Sequence, residues 1–268
     1  MNYPGSPIAQ GNTQIDTVKA IQQQLNQNNY GPLVADGHFG PATLAAVQKF
    51  QEDNNLQVDG VVGNDTWNAL FPPADQSPPA RHSINREHFF EVIRNGLFHG
   101  KLNQSQTDGI TAILNEWEAN YGNYDDRFLA YMLATTFHET ATTMQPIAEY
   151  GKGAGHPYGI PNPETGQTYY GRGFVQLTWK ANYATFAKIT GVNLVSYPDL
   201  ALDLGNATKI LFVGMLKGLF TGKKLADYFA GTTSDWINAR RIINGVDCAN
   251  LIAGYGNTFY SAISYLSA

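Results

Sequence analysis

The sequence predicts a mainly α protein in two parts: a small three-helix bundle, then a larger α-rich domain with a minor β element. Three observations carry that expectation. The stretch FPPADQSPPARHS at 71–83 holds four prolines in thirteen residues, and proline breaks helices and stiffens an extended chain. Apolar residues recur with a helical period on both sides of it. Convincing strand-type alternation is scarce. The expected boundaries are a module at 1–71, a proline-rich linker at 72–83 and a domain at 84–268.

The chain of 268 residues is 43% hydrophobic and 15% charged, so it can bury a sizeable core. Its 15 tyrosines and 14 phenylalanines suit aromatic-lined surfaces of the kind that bind sugars. Residues 1–83 hold three basic against seven acidic side chains, and residues 84–268 hold 14 against 15. There is no basic run, so nucleic acid is not expected as a partner. No basic helix face points to a membrane surface, and no apolar stretch nears the roughly 18 residues of a span. Stable membrane insertion is therefore not expected. The start, MNYPGSPIAQGNTQID, shows neither a basic n-region nor an apolar h-region. This gives the expectation of a cytoplasmic chain without a signal peptide; a target outside the membrane would need something else to release it. With Cys248 the single cysteine, no internal disulfide forms, and a buried inert thiol is its default reading.

In the small module, Ile15, Val18, Ile21 and Leu25 share one helical face, Leu44, Val47 and Phe50 a second, and Trp67 and Leu70 a third. Between them DGHFGPAT (36–43) and DGVVGNDT (59–66) repeat D-G-x-x-G-x-x-T at an offset of 23 residues. Asp-Gly opens a tight turn, and Pro41 stands where a first helical residue tolerates it. Together VKAIQQQLN, DGHFGPATLAAVQKFQ and VDGVVGNDTWNAL make residues 13–71 resemble the peptidoglycan-binding domain found at the ends of many cell-wall hydrolases. The resemblance implies binding of wall glycan or peptide without chemistry. The repeated turns are expected to be structural, with any ligand in a groove beside them.

In the larger part, EHFFEVIRNGLF (87–98) is amphipathic, and Ile110, Ile113, Leu114 and Trp117 keep the i, i+3, i+4, i+7 spacing. DDRFLAYMLATTFHE (125–139) opens with acids, as a helix N-terminus favours. Residues 150–171, rich in Gly, Pro and Tyr, predict a long loop or irregular hairpin. Later helices are expected at 179–190, 205–219, 234–243 and 249–266, and the minor β element near TYYGRGFVQLT.

Three chemistries can be tested on the residues. His138-Glu139 shares the first two residues of the zinc motif H-E-x-x-H, but the second ligand position is Thr142, and the other histidines (38, 82, 88, 99, 156) show no ligand spacing. No metal or other cofactor is expected. Neither G-x-S-x-G nor a Cys/His pair signals a nucleophile. A carboxylate pair remains. Glycosidic hydrolysis takes one protonated carboxyl to give a proton to the leaving oxygen and one carboxylate to activate water. Glu139 suits the acid, because it ends an apolar helix where burial and the helix dipole favour the neutral form. Glu149 suits the base, in a wetter Gly-rich segment near Lys152. On residue type alone, Glu164 is an equally good second carboxylate.

FHETATTMQPIAEYGKG, YYGRGFVQLTWKANY, YPDLALD and RIINGVDC follow one another in the order seen in family 19 glycoside hydrolases. That family has a lysozyme-like fold and includes chitinases and many phage endolysins. The resemblance spans roughly residues 88–265 and implies an inverting mechanism, with Glu139 as general acid and Glu149 as general base. It makes Gln176, Thr178 and Asn182 candidates for positioning sugar or water, and Asn244 a substrate contact. His138 and Tyr170, inside the same motifs, join them. There are departures from the family pattern. Ala141 and Thr142 replace two glycines, Asp247 stands where a glutamate is usual, and Gly256 aligns with an arginine that supports the acid. Arg172 of GRG reads as structural.

These readings predict a monomeric peptidoglycan hydrolase of the endolysin type. It would cut the β-1,4 bond between N-acetylmuramic acid (MurNAc) and N-acetylglucosamine (GlcNAc), with glycan strands as its partner. The alternatives are a chitinase and a non-catalytic wall-binding protein.

Overall fold

In the computed structural model of the chain, residues 3–28, 30–54, 56–71 and 83–266 are described, Gln27 by its backbone alone. They fall into two units, Met1–Ala80 and Arg81–Ala268, each with its own hydrophobic cluster. Apart from Ser83, the expected linker at 72–83 lies outside the described residues.

The first unit packs α1 (Ile15–Gln27), α2 (Pro41–Asp53) and α3 (Asn64–Leu70). Val18, Ile21, Leu25, Val47, Phe50, Trp67 and Leu70 are buried as the helical period predicts. Ile15 departs from it at 57% exposed, because it opens α1 and lies against the turn at Gly37 rather than in the core. Ile8 and Val62 close the cluster, each donating its N–H to the other's carbonyl at 3.1 and 2.8 Å.

The two repeated turns are each wired to one buried glutamine. The side-chain amide of Gln22 on α1 donates to Asp36 Oδ1 (2.9 Å), His38 O (3.0 Å) and Thr43 Oγ1 (3.2 Å), while Gly37 N donates back to its Oε1 (2.9 Å). Gln51 on α2 does the same for Asp59 (2.8 Å), Val61 O (3.0 Å), Thr66 (3.1 Å) and Gly60 N (2.8 Å). The aspartate, second-position glycine and threonine of D-G-x-x-G-x-x-T are thus spent on satisfying a buried amide. Gly37 (φ 83°) and Gly60 (φ 72°) adopt the left-handed backbone that makes glycine necessary there. The Gln22 bond and the His38 N–H hold Asp36 below its ordinary carboxylate pKa.

The second unit is built round α6 (Asp126–Glu139), in which every residue from Phe128 to Phe137 is buried. Before it come α4 (Arg86–Gly96) and α5 (Gln104–Glu116), and a π-helical turn at Trp117–Tyr121 extends α5. After it come β1 (Ile147–Ala148), β2 (Arg172–Gly173), α7 (Lys180–Thr190), α8 (Leu204–Lys217), β3 (Phe229–Ala230), β4 (Thr233–Ser234) and α9 (Ala249–Ala262). α6 packs along α9 and α8, α4 lies on α9, and α5 and α7 lie on α8. Phe137 is the pivot of this packing, its ring edge-on to Phe98 and Tyr255 at 5.1 and 4.8 Å. Side-chain caps at Asn85, Asn103, Asp125 and Asp203 start α4, α5, α6 and α8. Ser83–Asn85 and Ser264–Leu266 run antiparallel, joined by Asn85 N to Ser264 O (2.8 Å) and Leu266 N to Ser83 O (3.0 Å).

The mainly α class with a minor β element is what the chain forms. β1 and β2 pair antiparallel, Ile147 with Gly173 and Ala148 with Arg172, at the expected place. Three details differ from the sequence expectation. The helix expected at 234–243 is only a 3-10 turn at Asn238–Ile242, preceded by the unforeseen β3–β4 hairpin. Asp235 starts that turn by accepting from Asn238 N at 3.0 Å. Cys248 is exposed rather than buried, since its left-handed backbone (φ 56°) at the head of α9 turns it out of the helix's packed face. Among the described residues no helix is long and apolar enough to cross a membrane.

Candidate active site

Glu139 is the last residue of α6. The helix stops there because Thr140 turns its hydroxyl back onto Thr136 O (2.7 Å), and the next two residues, Ala141 (φ 48°) and Thr142 (φ 67°), are left-handed. Two glycines would suit those positions better. The Glu139 side chain is 15% exposed and pairs with Arg240 Nη1 at 2.5 Å. Arg240, 4% exposed, comes from the 3-10 turn after β4. Its other nitrogens donate to Asp247 O (3.2 Å) and Oδ2 (3.3 Å). Burial works against the Arg240 charge, but the Glu139 carboxylate and Asp247 outweigh it and raise the guanidinium above its ordinary pKa. Glu139 ends an apolar helix as the sequence led one to expect, and the structure adds a partner the sequence reading did not include, the buried Arg240.

Glu149 follows β1 directly. Its N–H donates to Gly171 O (2.8 Å), and its carboxylate accepts from Gly171 N (3.1 Å) and the Tyr158 hydroxyl (3.4 Å). The side chain is therefore clipped to the partner strand. Burial first, and then the Glu149 charge, raise the Tyr158 hydroxyl above its ordinary pKa. Lys152, expected to support Glu149 by charge, instead donates its backbone N–H to Glu149 O (2.9 Å). Glu164, the alternative second carboxylate, is exposed and ion-paired with Lys180. Among the described residues no hydrogen bond or ion pair joins Glu139 to Glu149; each is fixed by its own partners.

Gln176, Thr178 and Asn182 come together as a chain of local bonds. The Gln176 amide donates to Ile147 O (3.1 Å) and Gly173 O (3.2 Å) and so locks β1 to β2. Thr178 Oγ1 donates to Gln176 O, and Asn182 Nδ2 to Thr178 O, both at 2.8 Å. Their donors are largely used on backbone, which leaves mainly acceptor oxygens for a ligand. Tyr170 stacks beneath Arg172, with the guanidinium 3.6 Å from the ring centroid. Arg172 is structural, as its place in the sequence suggested. It is buried and donates to Thr168 O, Tyr170 O, the Tyr183 hydroxyl and Asp199. His138 is half-buried beside Glu139, and Asn244 is exposed four residues past Arg240. Among the described residues no three His, Cys, Asp or Glu side chains gather into a metal cluster.

Arg240 is the site residue the sequence did not reveal. The position aligned with a supporting arginine, Gly256, lies under the Trp236 ring, where even a Cβ would come within 2.8 Å of the indole. The guanidinium arrives instead from the 3-10 turn, and Asp247 completes it.

A peptidoglycan binding domain family model matches residues 14–70, and the glycoside hydrolase family 19 model, chitinase class I, matches residues 123–214. The zinc D-Ala-D-Ala carboxypeptidase of Streptomyces albus G is 49% identical over 43 residues, covering 16% of this chain and 17% of that protein. The basic endochitinase CHB4 of Brassica napus is 24% identical over 192 residues, 66% of each chain. The crystal structure of chitinase C from Streptomyces griseus HUT6037 aligns with a TM-score of 0.41 at 22% identity, over 66% of this chain and 74% of its own. The chain spans 17% and 66% of the length of these two curated relatives. Both carboxylates, the β1–β2 pair and the Gln176–Asn182 chain lie inside the second family match, and the glutamine-wired turns lie inside the first. The chain thus carries an N-terminal peptidoglycan-binding domain at residues 14–70 and, further along, a glycoside hydrolase family 19 domain matched over residues 123–214.

Proposed function

We propose that this chain is a peptidoglycan hydrolase that cuts the β-1,4 bond between MurNAc and GlcNAc by inverting acid–base catalysis. Glu139 donates a proton to the leaving oxygen, and Glu149 takes one from the attacking water. The observation that carries the reading is the pair of carboxylates held by separate networks within the family 19 match, Glu139 on Arg240 and Glu149 on Gly171 N–H and Tyr158. Asp247 gives Arg240 a second carboxylate to hold when Glu139 carries its proton. The peptidoglycan-binding domain favours wall glycan as substrate, because tethering raises the enzyme's effective concentration along the strand. Such an enzyme would lyse cells as an endolysin does and needs one copy of the chain.

The class I chitinase match supports a second reading, cleavage between two GlcNAc units of chitin. Mass spectrometry of fragments from purified peptidoglycan and from colloidal chitin, after borohydride reduction of new ends, separates the two. Reduced MurNAc supports the first reading. Reduced GlcNAc from peptidoglycan overturns its bond specificity, and release from chitin alone favours the second. Glu139→Gln should abolish release while the protein still sediments with walls; retained hydrolysis would falsify the acid assignment.

A further inference from the structure

Beside Glu149 stands an aromatic group of three rings, of which only Tyr158 belongs to a carboxylate network. His156 stacks on Tyr158 at 4.9 Å with the rings 8° from parallel. Tyr158 meets Trp179 edge-to-face at 5.1 Å and 83°. Backbone pairing sets this register: Tyr169 N donates to Tyr158 O (3.0 Å), and Trp179 N donates to Tyr169 O (2.9 Å). The loop reaches Tyr158 through a close crossing, in which a Cβ on Gly159 would fall 2.0 Å from Gly153 O. The Tyr158 hydroxyl then touches Glu149, so the aromatic group is continuous with the candidate base.

Trp179 is the exceptional member. It is 50% exposed, whereas Trp67 and Trp117 are buried. Its backbone sits at φ 75°, ψ 134°, close to a region that glycine almost alone occupies. A large side chain on a backbone that suits glycine goes against local preference, and its edge contact with Tyr158 leaves half of its surface open to solvent.

We propose that Trp179, braced by Tyr158 and His156, is a stacking platform for one N-acetylhexosamine ring of the glycan, next to the ring whose bond is cut. This rests on the glycosidase reading and adds a specificity-determining residue to it. A pyranose ring presents an apolar C–H face and a rim of hydroxyls. An aromatic plane takes the face. Asn162, Lys180 and Glu164, hydrogen-bonded together beside Trp179, offer polar groups to the rim.

The test uses the full chain with Glu139→Gln, so that ligand is bound but not cut, and chitotetraose as the probe. Iodide quenching reads the exposed Trp179, and calorimetry reads binding independently. Saturating chitotetraose should shield the tryptophan emission. Trp179→Ala should abolish the shielded fraction and weaken Kd about tenfold. Trp179→Gly should weaken Kd equally while leaving the thermal midpoint unchanged or higher, which a purely structural role would not produce. Calorimetric binding with an unchanged Kd in both variants, or without shielding, overturns the platform and leaves the glycosidase reading standing. Shielding that grows with protein concentration in the absence of sugar assigns Trp179 to self-association and also overturns it. A chain that neither binds nor cleaves chito-oligosaccharide or peptidoglycan fragments overturns both.

Discussion

Arg240 and Glu139 lie 101 positions apart in sequence and meet only through the fold. The two-partner grip on Glu139 and Asp247 needs a forked, planar cation, so Arg240→Lys is not conservative. We expect kcat on a soluble oligosaccharide to fall about 100-fold with KM little changed, as for a misplaced catalytic group. Asp247→Asn, at a partner 57% exposed, should cost less. Steady-state kinetics on both variants checks the order. Thr142 carries the opposite prediction. It is exposed and left-handed, so Thr142→Gly should stabilise the second unit by about 1 kcal/mol, roughly 2–4 °C in thermal midpoint; scanning calorimetry reads this. At this scale the sequence was legible for placement, since Glu139 ends α6 where the apolar period predicted a helix end. It was silent on Arg240, since an Arg-Arg doublet in a short 3-10 turn has no period to say which way it faces. It misled on Lys152, where nearness in sequence did not bring the ammonium to the carboxylate.

Elements were legible to the degree that they bury a periodic face. α6 and α8 could be placed within a residue or two because their apolar residues face a core. The β3–β4 hairpin was not, since two residues per strand leave no alternation to detect. The glutamines that organise the small unit were hidden for another reason. A glutamine inside a helix is unremarkable, and its partners stand 14 and 8 residues downstream, at Asp36 and Asp59. Gln51→Leu keeps the volume but leaves Gly60 N, Val61 O and Asp59 without their partner. It should cost about 1–3 kcal/mol in the first unit, read from urea unfolding. Asp36 adds a pH signature. Its pKa is depressed in the folded state, so its contribution is complete above the ordinary value of 3.8 and is lost as pH falls through the folded value. Exchange of the Gly37 amide, which is bonded to Gln22, should accelerate in that window, and Asp36→Ala should flatten the dependence.

For the whole molecule, two separate hydrophobic clusters predict two unfolding transitions. Residues 84–268 alone should hydrolyse a soluble oligosaccharide at the full-length kcat/KM, yet lose rate on intact walls at low enzyme concentration, where the tether supplies effective concentration. Equal loss on both substrates would show that the first unit does more than anchor. The antiparallel meeting of Ser83–Asn85 with Ser264–Leu266 has a mechanical consequence. Force drawing Ser83 and Leu266 apart would meet these bonds one after another, as a zipper opens, and part them at low load. Force entering at Ser83 from the chain upstream loads the Leu266 N–Ser83 O bond before it passes by way of Asn85 into α4, so the seam yields ahead of the helix it guards.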